Sequence, residues 1–90
     1  MYTLIFPDSY KKTEKKFFKK HPDLLGRYEK TLKLLRLNPF HPSLRLHKLQ
    51  GSEFHSVSLN MQYRIIIDFV IKDNEIIMIN IGGHEVYKDL

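Results

Sequence analysis

The segment FHSVSLNMQYRIIIDFVI, Phe54 to Ile71, limits the possible folds more than any other part of the chain. Val57, Leu59 and Met61 alternate with Ser56, Ser58 and Asn60, the period-2 pattern of a half-buried strand. Beyond a turn at Asn60-Met61-Gln62, Tyr63, Ile65, Ile67, Phe69 and Ile71 point to one face, and Arg64, Ile66, Asp68 and Val70 to the other. The first set is apolar or aromatic throughout and belongs to a core. The second mixes charge with apolar groups and belongs to a partly covered face. The pattern therefore predicts an antiparallel hairpin with Arg64 on the open side of a central strand.

The flanking segments supply what that hairpin packs against. Tyr2–Phe6 reads as a first strand, broken by Pro7-Asp8-Ser9, where Asp8 or Ser9 is placed to cap a helix. Tyr10, Thr13 or Glu14, Phe17 and His21 follow at helical spacing. Pro22 ends that helix and suits the first turn of a second, whose stripe is Leu24, Leu25, Tyr28, Leu32 and Leu35. Asn38-Pro39-Phe40-His41-Pro42 stops it in a rigid loop. Leu44, Leu46 and Leu49 make a short edge strand or an extended lead-in, turned at Gly51. After a turn at Lys72-Asp73-Asn74, residues Glu75–Ile81 form the last strand. Alternation places Ile77, Ile79 and Ile81 on one face and Ile76, Met78 and Asn80 on the other. Gly82-Gly83 ends that strand and leaves His84–Tyr87 as a tail. The expected fold is one α+β domain over residues 1–90: an N-terminal strand, a helical hairpin, then an antiparallel three- to four-stranded twisted sheet with one face open.

Composition narrows the chemistry. A 90-residue chain with 42% hydrophobic residues can bury one modest core. It has no cysteine, which removes disulfide and thiolate chemistry and suits a reducing compartment. No apolar run is long enough to span a bilayer, and the first residues lack the charge order of a signal peptide, so a cytoplasmic location without membrane attachment is expected. The net charge of +5 is crowded into Lys11, Lys12, Lys15, Lys16, Lys19 and Lys20, with Lys30, Lys33, Arg36, Arg45 and Lys48 beyond. Such a distribution suits polyanionic partners, nucleic acid or an acidic protein. It also suits a solvated helix face.

No phosphate loop, nucleotide fingerprint, nucleophile elbow or His-x-x-x-His metal pair is present, so no metal or other cofactor is expected. What remains is a set of cationic and proton-transferring groups: Arg64 on the open face, His47 and Lys48 before the hairpin, and His84 and Tyr87 after the last strand. Arginine can hold a phosphate by its fork, and histidine can move protons near neutrality. Cleavage of RNA without a metal needs a base for the 2′-hydroxyl, charge stabilisation at phosphorus and an acid for the leaving 5′-oxygen. His21 and His41 precede prolines and read as helix-end and turn residues. His55 shares the Val57–Leu59 side and reads as structural.

Three motifs in order, Leu49-Gln50-Gly51, Tyr63-Arg64-Ile65-Ile66 and Ile79-Asn80-Ile81-Gly82-Gly83-His84 with Glu85-Val86-Tyr87, resemble the RelE/ParE toxin superfamily. The resemblance spans essentially the whole chain and lies nearest the RelE-like and YafQ-like mRNA interferases. It implies the toxin of a type II toxin–antitoxin pair, acting as a ribosome-dependent endoribonuclease on mRNA. Arg64 then matches the strand arginine at the scissile phosphate, and His84 the C-terminal general acid/base. His47 matches the YafQ-like histidine before the Leu-Gln-Gly turn, and Tyr87 a C-terminal substrate-contacting tyrosine. Arg45 and Lys48 would be RNA-binding cations. The implied partners are a cognate antitoxin with an acidic or amphipathic segment, the ribosome and mRNA. Two departures stand out: Ser58 replaces a second YafQ-like histidine, and Gln62 replaces an aspartate. A ParE-like inhibitor of DNA gyrase, or an inactive antitoxin-binding relic, shares the same fold.

Overall fold

The computed structural model describes residues 1–70 and 73–87. Ile71 and Lys72, expected to end the hairpin and begin a turn, lie outside the described residues. The elements in chain order are β1 (Thr3–Ile5), α1 (Asp8–Lys20), α2 (Leu25–Leu37), β2 (His47–Lys48), β3 (His55–Ser58), β4 (Arg64–Val70) and β5 (Glu75–Gly82). Short 3-10 turns at Pro22–Leu24, Pro42–Leu44 and His84–Tyr87 join or follow them. Five strands form one sheet in the order β1-β5-β4-β3-β2, parallel only where β1 meets β5. The expected α+β architecture is therefore present, and the antiparallel part has four strands.

Helix α1 begins at Asp8 with Pro7 in the capping position, so neither Asp8 nor Ser9 caps it. Pro7 supplies a suitable φ of −61° but no side-chain acceptor. Pro22 opens the 3-10 turn that leads directly into α2. The helices bury Tyr10, Phe18, Tyr28 and Leu35 against Val57, Ile65, Ile67, Ile76, Met78 and Ile81 of the sheet. Inside this core Tyr10 and Tyr28 share a hydroxyl hydrogen bond of 2.7 Å, and Tyr28 donates to the Glu14 carboxylate. Burial raises both phenols well above the ordinary tyrosine value of 10.0.

The β3–β4 turn is held by Asn60, whose Oδ1 accepts the amides of Gln62 and Tyr63 at 2.8 Å. Val57 and Leu59 are buried as the alternation requires, but Met61 is 86% exposed because the turn carries it past the core. In β5 simple alternation fails. Ile66 pairs with Asn80 while Ile67 pairs with Met78, leaving Ile79 as a bulge. The extra residue inverts the parity of the strand. Ile76, Met78 and Ile81 thus join the helix-side core, and Ile79 packs on the opposite face.

That opposite face is only partly open. Leu49, Ile66 and Val86 form a second cluster there, flanked by Phe54, Ile79 and Tyr87. The expected tail is a 3-10 turn folded back on the sheet, with Val86 2% exposed. Gly82 makes this possible. A Cβ at that position would lie 2.8 Å from both Val86 Cγ1 and Glu85 Oε1. Among the described residues, no helix is long and apolar enough to cross a membrane.

Candidate active site

Arg64 opens β4, opposite Ser58 on β3 and Gly82 on β5. Its side chain reaches diagonally across the sheet face to Ser56, within the span of cross-strand neighbours. Nε donates to Ser56 Oγ at 2.9 Å, and Nη2 donates to the Arg45 carbonyl at 2.9 Å. Nη2 also lies 3.3 Å from His47 Nδ1 and 3.4 Å from the Ser56 carbonyl. Protein groups thus occupy the Nε/Nη2 edge of the guanidinium. Among the described residues Nη1 has no hydrogen-bond partner, which leaves its two donors for an incoming anion.

Strand pairing explains the convergence. His47 sits opposite Ser56 in the β2–β3 ladder, so both share the face that carries Arg64. Ser56 is fully buried, and its Oγ lies 3.4 Å from His47 Nε2. Because Arg64 donates to Nδ1, the His47 tautomer that satisfies both contacts carries its proton on Nε2. Arg45 has a left-handed backbone, φ 49°, a conformation seldom adopted by a branched or long side chain. Its carbonyl is held by Arg64, and its Nη1 rests 3.9 Å from Met61 Sδ. Burial lowers the Arg64 value, the Tyr87 phenol opposes that shift, and the Arg45 charge adds to it. A guanidinium remains a cation under such shifts.

A cavity of about 480 Å³ opens beside this network. Arg45, Arg64, His84 and Tyr87 line it together with Tyr63 and Gln62. His84 is exposed, and its ring stands edge-on to Tyr87 at 6.0 Å. Among the described residues no carboxylate lines the cavity, so its walls offer cations and hydrogen-bond donors to an anionic ligand.

The six residues singled out from the sequence therefore separate. Four line one cavity, and His47 adjoins it through Arg64 without lining it. Lys48 does not belong there. It neighbours His47 in an extended strand, so the pleat turns it to the other face, where it lines a groove with Phe40, Glu53, His55 and Phe69. His55, read as structural, stands edge-on to Phe69 at 5.0 Å in that groove. Sequence reasoning missed Ser56, the residue that joins Arg64 to His47. Its signal was parity: Ser56 and Ser58 lie on the Arg64 side of the hairpin. Among the described residues, no group of three or more His, Cys, Asp or Glu side chains is arranged to hold a metal ion.

No protein-family model matches the chain, and no curated protein is similar to it in sequence. Solved structures are similar in fold. YafQ from E. coli BL21(DE3) is 18% identical with a TM-score of 0.77, covering 97% of this chain and 98% of its own. A metal-bound toxin from Helicobacter pylori is 21% identical with a TM-score of 0.79, covering 96% and 98%. The YoeB–YefM complex from Staphylococcus aureus gives 17% identity, a TM-score of 0.72, and 93% and 98% coverage. Each comparison spans nearly the whole of both chains, and the strand and helix order is the one the sequence motifs imply: this chain has the fold of the RelE/ParE toxin superfamily.

Proposed function

We propose that this chain is the toxin of a type II toxin–antitoxin pair and cleaves mRNA on the ribosome as an endoribonuclease. The observation that carries the reading is the meeting of Arg64, His84 and Tyr87 in one cavity that no carboxylate lines among the described residues, with His47 held against Arg64. In the proposed reaction the 2′-oxygen attacks the adjacent phosphorus as its proton passes to one histidine. The P–O5′ bond breaks as the 5′-oxygen takes a proton from the other histidine. The products are a 2′,3′-cyclic phosphate and a 5′-hydroxyl. Arg64 Nη1 binds the phosphate and stabilises the charge that builds on its oxygens. Tyr87 orients the substrate or stacks on a base. The reaction as written assigns every proton to a side chain and needs no cofactor.

His84 is the better placed of the two to reach substrate, since it lines the cavity and its ring is exposed. His47 turns both ring nitrogens towards Arg64 and Ser56, so it must release one contact to move a proton. Similar folds occur in complexes named YoeB–YefM and DinJ–YafQ, which supports a protein antitoxin as the physiological partner.

The test is translation in vitro with purified ribosomes and a defined mRNA, with breaks mapped by primer extension. Wild type should cut only when ribosomes are present, and Arg64→Ala or His84→Ala should abolish the cuts while remaining folded. Intact mRNA at high protein excess would refute the ribonuclease reading. Inhibition of gyrase supercoiling by the same protein would then favour the ParE-like alternative.

A further inference from the structure

Beside the cavity at Arg64 lies a larger one, a groove of about 610 Å³ between α2 and the β3–β4 turn. We propose that this groove is a second subsite for single-stranded RNA, taking nucleotides that flank the phosphate bound at Arg64. The identity of its ligand rests on the ribonuclease reading.

Continuity is the first argument. Arg45, Ser58, Asn60 and Met61 line both cavities, so a strand leaving Arg64 passes over Arg45 and enters the groove. Arg45 is fixed as the threshold between them, because its carbonyl is bonded to Arg64 and its guanidinium rests on Met61.

Charge is the second. Among the described residues, Arg27, Lys30 and Arg45 line the groove and no carboxylate does. Arg27 and Lys30, three apart on α2, project from the same side of the helix. Other grooves differ: Glu53 lines both of those at Lys48, one of them with Asp68, and Glu85 lines the one at Lys12 and Lys16. The groove and the cavity at Arg64, neither lined by a carboxylate among the described residues, are the two that join.

Surface chemistry is the third. Leu34, Leu44 and Leu59 give the groove an aliphatic floor, and Met61, 86% exposed, stands at its rim beside Arg45. Cations that track a backbone, together with flat apolar surface for bases, are what sequence-tolerant single-strand binding uses. Thr31 is not available as a donor, since its hydroxyl is bonded to the Arg27 carbonyl at 2.9 Å. An acidic peptide would satisfy the charges equally. The shared wall with the Arg64 cavity favours RNA.

The experiment measures binding without ribosomes and without cleavage. Fluorescence anisotropy is recorded with a 2′-O-methyl dinucleotide and a 2′-O-methyl hexanucleotide over a range of salt. The hexanucleotide should bind at least about tenfold more tightly, the weight of one stacked base. The double variant Arg27→Ala, Lys30→Ala should weaken the hexanucleotide far more than the dinucleotide. It should also lower the salt slope by about 1.4, at about 0.7 for each cation lost on a single strand. Both side chains are exposed, so the fold is not at risk. Equal affinity for the two oligonucleotides, no detectable binding of either, or an unchanged salt slope in the variant would overturn the subsite. Equally tight binding of a poly-glutamate peptide with the same slope would also overturn it and give the groove to an acidic polypeptide. The ribonuclease reading stands or falls separately, on ribosomal cleavage by wild type and Arg64→Ala.

Discussion

Replacing Ser56 by alanine tests how the candidate site is held together. The substitution removes one oxygen from a position with no solvent exposure. It deletes the acceptor of the Arg64 Nε bond at 2.9 Å and the group 3.4 Å from His47 Nε2. A hydrogen bond to a charged group is worth about 1.5–3 kcal/mol, and the guanidinium would keep its contacts to the Arg45 carbonyl and to His47. If that energy holds Arg64 and His47 in register with the reacting phosphate, its loss raises the barrier by up to the same amount. At about 1.4 kcal/mol per factor of ten, cleavage should fall by about 10- to 150-fold. Single-turnover cleavage of ribosome-bound mRNA is the assay, because a positioning effect lowers the rate of the chemical step more than it weakens binding. Arg64→Lys is the companion, since it keeps the charge but loses the planar fork. A Ser56→Ala protein that cleaves within about twofold of wild type, with only its melting temperature lowered, would refute the positioning role.

The packing sets four further outcomes. Gly82→Ala should destabilise the fold by about 1–3 kcal/mol and impair cleavage, because its Cβ would meet Val86 and Glu85 at 2.8 Å and lift the turn carrying His84 and Tyr87; urea unfolding and cleavage assays report the two effects. Tyr28→Phe should cost about 1–3 kcal/mol by leaving the Tyr10 hydroxyl and the Glu14 carboxylate without their shared partner. Both phenols ionise above the ordinary value of 10.0 in the folded state, so the unfolded chain loses those protons first and stability must fall as pH rises past 10.0; ultraviolet titration should show these two tyrosines ionising only as the fold opens. His55 titrates in the opposite sense. Desolvation lowers its folded value below 6.5, so the unfolded chain takes up the proton first as pH falls through 6.5 and stability declines there until the folded value is passed; His55→Gln should flatten that part of a stability–pH curve measured by urea unfolding.

The sequence carried the hairpin and Arg64 clearly, because period-2 alternation is a local signal and the charged residue sits in an otherwise apolar run. It carried the two helices for the same reason at a different period. It did not carry the bulge at Ile79, which exists only in the pairing between β4 and β5 and leaves no mark within β5 itself. Parity in β5 was therefore misread from Asn80 onward. Lys48 and Ser56 are different, since both were readable. A strand containing His47 and Lys48 cannot present both to one face, and choosing His47 brings Ser56 and excludes Lys48. The left-handed backbone at Arg45 had no sequence signal, because neither glycine nor asparagine marks it.

The parallel pairing of Thr3–Ile5 with Glu75–Ile77 has a kinetic consequence. Thr3–Ile5 cannot find its place until Glu75–Ile77, far along the chain, has been made. Closing so long a loop costs entropy before any contact repays it, and topologies dominated by distant pairings fold slowly. The cavity shares this delay, because His84 and Tyr87 complete it after β5 has formed. No fragment that stops before Glu75 can hold either the first strand or the assembled cavity, so the groups that the proposed chemistry requires come together only once β5 has been made.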